Sequence, residues 1–521
     1  MLNWLLWAPL ASGVLALMLP RVASRWIVLL GTLVALGIAI GIVVDFGGGE
    51  AGLQHVVDES WIPDLGVRYQ LAVDGISVFL VLMTTLLWTG AVAFSALRGY
   101  PHDDRWRLYY FLIALAESAA LGAFLAQDLL LFVLFFDLML IPFFFLIGTF
   151  GGGNRIAATT KMIVYTLVGS LLMLVGAIAT AILVSNQTGE LSFSIPYLRA
   201  NLLSTGSQYW IFCFFAAAFL VKMPAFPIHG WMPDAYKAAP LPVLVLLSAV
   251  LSKVGAYGFL RVVLPVFPQA TSHFQELILI IAAASILYGA VVAFSQTNVR
   301  LVAGYSSVSQ LGFITLGIFA LRPDGADGAV LQMVNHALVV APIFLIIAVL
   351  YERAGTEDLT RMGGLAKRAP VLAALFLVVT MALLAIPGSS NFIGEFYILN
   401  GIFQSKIVFA FIASIGIALA AFYALRLYQR TMHNELPAGV ESREISLTEG
   451  LVVAPLVAVI VALALWPGLI LDRGEAAVTD AVAAVTGSPE PEPTTDAVAA
   501  SAGGVGGQGR TGYAPISGEA P

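Results

Sequence analysis

With 521 residues, 60% of them hydrophobic and only 11% charged, and a mean hydropathy of +0.93, the chain cannot fold as a water-soluble globule and reads as a polytopic membrane protein. A formal net charge of -6 argues against nucleic acid as a partner. The single cysteine, Cys213 within an apolar stretch, excludes a disulfide framework, a zinc site and an iron–sulfur cluster held by this chain alone.

Apolar stretches able to cross about 30 Å of hydrocarbon predict about fourteen helices. In chain order they lie near 2–19, 25–44, 73–97, 108–126, 129–150, 160–184, 210–236, 240–264, 274–294, 299–321, 328–350, 371–403, 407–428 and 448–471. The first has no basic residue before it and is followed by Arg21 and Arg25, so it reads as a retained span rather than a signal peptide. Between the second and third lies an acidic, glycine-rich segment, 45–70, with Asp45, Glu50, Asp58, Glu59 and Asp64. Its GGGE stretch is expected to be a loop, because no strand, helix or lysine follows as a phosphate cradle requires. The seventh span is interrupted by Pro224, Pro227 and Pro233, and the twelfth by Pro387 and Gly388. Prolines at such depth free backbone carbonyls that only protein or water in a cavity can satisfy. Beyond Leu471 the composition turns to Ala, Gly, Pro, Thr and Glu, which predicts a disordered extracytoplasmic tail over 472–521.

Basic residues gather in alternate loops. Arg98, Arg155, Lys237, Arg300, the group Arg353 to Arg368, and Arg426 to Arg443 follow odd-numbered spans, whereas Arg68, Arg199, Arg261, Arg322 and Lys406 lie on the other face. Both termini are therefore expected outside. Two basic residues fit neither face: Lys222 and Lys253.

Each of these lysines falls near the middle of its span, and an ionisable group there marks a functional path unless it snorkels or only pairs structurally. Carboxylates match them: Glu117, Asp137 and Glu395 are all within spans, while Asp128 and Asp234 lie nearer span ends, where solvation or helix capping explains them. His336, a lone histidine on an apolar helix, has a bland reading as a satisfied core residue unless it aligns with the lysines. The two broken spans stand five helices apart, which suggests inverted five-helix repeats with an ionisable site at each break.

The stretches FDLMLIPFFFLIGTFGG, VKMPAFPIHGWMPDAYKAAP, LSKVGAYGFLR, GYSSVSQLGF and AIPGSSNFIGEF resemble the signatures of the antiporter-like proton-translocating subunits of respiratory complex I. The resemblance covers about residues 70–430 and implies an all-α fold of about fourteen transmembrane helices with two inverted five-helix repeats, each with one broken helix. It further implies that Asp137 and Lys222 form a carboxylate–lysine pair, that Lys253 is the central lysine, that His336 lies on the polar axis and that Glu395 is the terminal acid. Ser306, Ser307, Ser309 and Gln310 would hold connecting waters, with Glu117, His229 and Asp234 in support. Two departures stand out: Asp137 replaces the usual glutamate, and Gln310 replaces a histidine found in some relatives. Relatives of the L and N types, and the sodium/proton antiporters, carry lysine where this chain has Glu395.

These observations divide the chain into 1–107, a first repeat 108–265, a second repeat 266–430, a final span within 431–471 and the tail. By the resemblance, a proton crosses the bacterial plasma membrane along the buried charges, driven by quinone reduction elsewhere. No cofactor is expected in this chain. Partner subunits would carry FMN and iron–sulfur clusters and bind quinone, and the neighbours would be subunits L and N, with lipid around them. The rival readings are a multisubunit sodium/proton antiporter without redox coupling, and a structural subunit whose buried ions only fix helix packing.

Overall fold

The computed structural model of the chain describes residues 1–48, 52–101, 104–437 and 439–487. Glu50, part of the GGGE stretch and residues 488–521 of the expected tail lie outside the described residues. Among the described residues, 11 helices are long and apolar enough to cross a membrane, and Leu2–Met18 and Pro370–Leu383 are shorter apolar helices. Their bounds follow the hydropathy closely: the stretch expected near 299–321 is the helix Val299–Ile318, and that near 407–428 is Ile407–Met432.

The helices sort into an inner and a peripheral set. The central stretches of Leu241–Val266, Val299–Ile318 and Pro323–Ala354 are wholly buried by the others, whereas Arg21–Asp45 and Ile407–Met432 turn most of their surface outward. Outward residues such as Leu30, Ile40, Phe411 and Phe422 are as apolar as the inward ones, as expected where lipid rather than water is the outer solvent. Close approach relies on small residues. A Cβ at Gly328 would sit 2.6 Å from the Ile398 nitrogen, and one at Gly289 would sit 2.6 Å from the Ser309 nitrogen, so each glycine lets two backbones meet.

Both expected interruptions are present. The seventh stretch resolves into the helix Thr205–Lys222, a non-helical segment 223–231 and the short helix Met232–Ala238; the twelfth resolves into Pro370–Leu383, the segment 384–389 and Ser390–Ser405. Trp231 fastens the first break by donating its indole N–H to the Val221 carbonyl at 3.0 Å, satisfying one acceptor that the broken helix leaves free. At the second break, Ser389 caps the new helix through the Phe392 N–H.

Two sequence expectations need correction. The segment 45–70 is not only a loop. A strand does follow the glycines: β1 (Gln54–Ile62) pairs antiparallel with β2 (Val67–Val73), turning through Gly66 at a φ of 65°. It leads into a hairpin rather than a helix, and Arg68 closes the hairpin by reaching Asp58 at 2.6 Å. Of the acidic residues named there, Asp58 and Glu59 lie on β1 and are exposed, Asp45 ends the preceding helix and Asp64 lies in the turn before Gly66. Likewise, the tail does not lose structure at residue 472, because a helix runs over Gly468–Thr486. Its buried positions Ile470, Gly474, Ala477, Val478, Ala481 and Val482 repeat at helical spacing, and Arg199 grips Asp480 with two hydrogen bonds. Alanine and glycine on that stripe carry little hydropathy, so composition alone hid it.

Lys222 and Lys253 are not the only enclosed cations among the described residues, but unlike three others they are not paired with a carboxylate. Arg261 meets Asp74 at 3.0 Å, Arg300 meets Glu357, and Arg353 meets Glu449 at 3.0 Å. Neither lysine has a carboxylate within ion-pair distance among the described residues. Arg353 also donates to the carbonyls of Val349, Arg443 and Glu444, while Arg98 takes the other Glu449 oxygen at 2.6 Å, tying the start of Leu447–Leu465 to two other helices. Arg353→Met is expected to cost about 3 kcal/mol, because it strands buried acceptors. A lowered unfolding temperature of the purified complex is the readout, and an unchanged one would show that the clamp adds no stability.

Candidate functional site: a buried polar chain

Lys222 is the last residue of its helix, where unpaired carbonyls and the helix dipole favour a cation. Its Nζ donates to the Phe136 carbonyl at 3.1 Å and lies 4.2 Å from the centre of the Phe136 ring. Asp137, the next residue, is close enough for an electrostatic interaction but makes no ion pair with Lys222. Its Oδ1 is buried without a hydrogen-bond partner. The carboxylate–lysine pair implied by the resemblance is thus open in this conformation. One methylene less than glutamate shortens the reach, and the backbone carbonyl takes the ammonium instead. Asp137 faces a cavity of about 540 Å³ lined otherwise by apolar side chains, among them Trp61, Leu134, Ile141 and Leu174.

Lys253 stands on Ser252–Gly258, between two π-helical segments, Leu247–Leu251 and Phe259–Val263. Such wide turns are uncommon and alter which carbonyls remain free. The Ser248 carbonyl accepts from Lys253 Nζ at 3.2 Å, the Ser252 hydroxyl lies at 3.3 Å, and His336 Nδ1 at 2.9 Å. With an ammonium as donor, that nitrogen is the acceptor, which places the ring hydrogen on Nε2. Nε2 is itself buried with no partner. His336 therefore aligns with Lys253, and as a core histidine it is only half satisfied.

Glu395 closes the other end. Its Oε1 accepts from Gln310 Nε2 at 2.7 Å, and Gln310 Oε1 accepts from Gln332 Nε2 at 2.7 Å. Gln332 and His336 are four residues apart on Pro323–Ala354, hence on one face and about 6 Å apart along the axis. The polar groups run Lys253, His336, Gln332, Gln310, Glu395, with a single helical turn to bridge between His336 and Gln332.

Unsatisfied polar atoms lie on that turn and on the helix Ser390–Ser405 packed against it, with one more, on Tyr423, beside Gln310 and Glu395. Gln332 Oε1, Asn335 Oδ1, Ser390 Oγ, both amide atoms of Asn391 and the Tyr423 hydroxyl are buried without hydrogen-bond partners. Buried polar groups are otherwise almost always paired, so a cluster of orphans along one polar stripe is a place for ordered water. Gln332, Asn335 and Asn391 were missed in the sequence. The available signal was spacing, since Gln332 lies one turn before His336. Gln332→Leu is expected to slow proton transfer about tenfold by removing one hydrogen-bonded relay, measured as proton uptake into vesicles. Uptake equal to wild type would remove Gln332 from the path.

The remaining candidates divide. Ser307 joins the chain, its hydroxyl 3.5 Å from that of Ser248. Ser306 bonds back to the Ala303 carbonyl, and Ser309 bonds to the Ile286 carbonyl, away from the lysines. Glu117 is fully enclosed on Trp106–Leu125, with both carboxyl oxygens unpartnered. Asp128 caps Leu129–Leu138 through the N–H groups of Leu130 and Leu131, as expected of an acid at a span end. His229 sits in the first break against Tyr288 and Tyr305, with ring centres 4.9 and 6.0 Å away. Asp234 is exposed and paired with Lys161 at 2.8 Å, on the rim of a cavity of about 340 Å³. Neither makes a direct bond to the chain. Among the described residues, no group of three or more His, Cys, Asp or Glu is placed to hold a metal ion.

Residues 126–420 match the family described as NADH:quinone oxidoreductase/Mrp antiporter, TM. The chain belongs to this family. The match spans more than half of the chain and includes Asp137, Lys222, Lys253, Gln310, Gln332, His336 and Glu395; Glu117 lies outside it. NADH-quinone oxidoreductase subunit M of Rhodobacter capsulatus is 38% identical over 460 residues, covering 86% of this chain and 88% of the relative. Among solved structures, respiratory complex I from Thermus thermophilus with bound NADH contains a chain that superposes with a TM-score of 0.85 at 30% identity, over 93% of this chain and all of that one. An Mrp complex from Dietzia sp. matches with a TM-score of 0.80 at 23% identity, over 93% and 98% of the two chains, and so shares the fold of the family.

Proposed function

We propose that this chain acts as the M-type antiporter-like subunit of NADH:quinone oxidoreductase and moves protons through the membrane arm without a redox centre of its own. The reading rests most on one observation: the hydrogen-bonded stations Lys253 and His336 at one end and Gln332, Gln310 and Glu395 at the other, separated by one turn lined with unpaired polar atoms. Each station but the two glutamines can hold a proton, and the glutamines can orient water between those that do. Lys222 and Asp137 form the upstream station. Quinone reduction in another subunit perturbs the charges, and a proton passes from Lys222 through Lys253 and His336 to Glu395. Moving one charge across 100 mV costs about 2.3 kcal/mol, so the redox module supplies the drive.

The same reading gives about fourteen spans, obtained when Leu2–Met18 and the two interrupted helices join the 11 long ones, in two inverted five-helix repeats. Both termini face outward by the distribution of basic residues. FMN, iron–sulfur clusters and quinone belong to other subunits, since a single cysteine cannot ligate a cluster. Subunits L and N are the proposed neighbours, in a bacterial plasma membrane.

Glu395 separates this reading from the redox-independent antiporter, whose relatives carry lysine there. In membrane vesicles containing the assembled complex, proton uptake is expected on adding NADH and a quinone. An imposed pH gradient is expected to be insensitive to sodium. Sodium-driven collapse of the gradient, without a response to NADH, would favour the antiporter.

A further inference from the structure

The Lys222 ammonium takes both of its close contacts from one residue. Phe136 supplies its backbone carbonyl, 3.1 Å away, and the face of its ring, 4.2 Å to the centre. Asp137 leaves an oxygen unpartnered one residue further along. The ring is not free to turn away. Phe132, one turn earlier, lies 5.9 Å from it, and Phe219, one turn before Lys222 on the facing helix, lies 5.8 Å from it at 58°. Phe219 is in turn backed by Phe259 at 5.2 Å and by Gly258, where any Cβ would collide with its ring. Thus the lysine's own helix helps aim the aromatic face that receives it.

An ammonium out of water needs compensation for lost hydration, and an aromatic face offers it without supplying a base. We infer that Phe136 is a positioning residue of proton transfer in this chain: its ring and carbonyl form a holding site for the charged Lys222, distinct from Asp137, between which the ammonium moves when the pair closes. The shorter acid gives the arrangement its purpose. With Asp137 out of reach, a carbonyl and a ring face hold the charge on Lys222 until the carboxylate or water is brought within bonding distance. The inference rests on the proton-path reading above.

Fluorination tests it without changing the shape of the ring appreciably. Each added fluorine drains negative potential from the ring face, so the assembled complex would carry mono-, di- and trifluorophenylalanine in turn at position 136, with Lys222→Met as a parallel arm. Proton uptake per NADH oxidised is expected to fall stepwise along the series, to about a third or less at three fluorines, given a cation–π contribution near the middle of its usual range. Phe136→Leu is expected to fall at least as far, and Phe136→Tyr to recover most of the activity by restoring the face. If Lys222→Met abolishes uptake while the fluorinated series stays flat, the holding site is overturned and the path stands. If Lys222→Met pumps normally, the path through Lys222 itself fails, and the role of Phe136 fails with it.

Discussion

Lys253→Met is expected to lower NADH-driven proton uptake and coupled quinone reduction together, by about 100-fold or more, while NADH oxidation by an artificial acceptor at the redox module stays intact. Methionine approximates the length and volume of the side chain, so packing in the enclosed helix changes little. What it removes is the hydrogen-bond partner of His336 Nδ1 and one of the two donors to the Ser248 carbonyl among the described residues, the Ser252 hydroxyl being the other. The structural-subunit rival makes the opposite forecast. If the lysine only fixed helix packing, an apolar replacement of similar size would act on assembly alone, and whatever complex still assembled would pump normally. Assembly should therefore be measured alongside uptake: normal assembly with lost pumping assigns Lys253 to proton transfer, and normal pumping in whatever complex assembles removes it from the path.

Glu395→Gln should have a comparable effect for a different reason. The amide keeps the volume, and its oxygen can still accept from Gln310 at the position now occupied by Oε1. It cannot take up or release a proton at neutral pH. Loss of pumping by about 100-fold, with partial recovery in Glu395→Asp, is expected of a terminal proton carrier. Full activity in the amide variant would reduce Glu395 to a hydrogen-bond acceptor that orders Gln310 and Gln332. The comparison is sharp because Gln310 and Gln332 already show that an amide is tolerated in this polar stripe.

Much of this arrangement could be read from residue order. Charges in apolar spans pointed to Lys222, Lys253, Asp137, Glu117 and Glu395, because hydrocarbon makes any such group conspicuous. Helix positions and both interruptions followed from hydropathy and proline. What stayed hidden was uncharged or local. Gln332, Asn335 and Asn391 are neutral amides whose importance depends on helices distant in sequence meeting at the second break. The π-helical segments around Lys253 have no sequence signature in LLSAVLSKVGAYGFLR, since they are set by packing. The hairpin Gln54–Val73 was masked by its short strands and its exposed, charged residues, and Gly468–Thr486 by its small side chains. That Lys222 would choose the Phe136 carbonyl over Asp137 turns on one methylene, a difference composition can flag but not decide.

The continuity of the path from Lys253 to Glu395 is tested most directly by a double variant. Proton uptake per NADH oxidised would be compared in vesicles for wild type, Lys253→Met, Glu395→Gln and the two combined. Residues acting in series on one proton are strongly non-additive, because once either station is lost the other has nothing to carry. The double variant is therefore expected to pump no worse than the more impaired single variant. A loss in the double variant equal to the product of the two single losses would contradict a single path, and would mean that Lys253 and Glu395 serve independent routes.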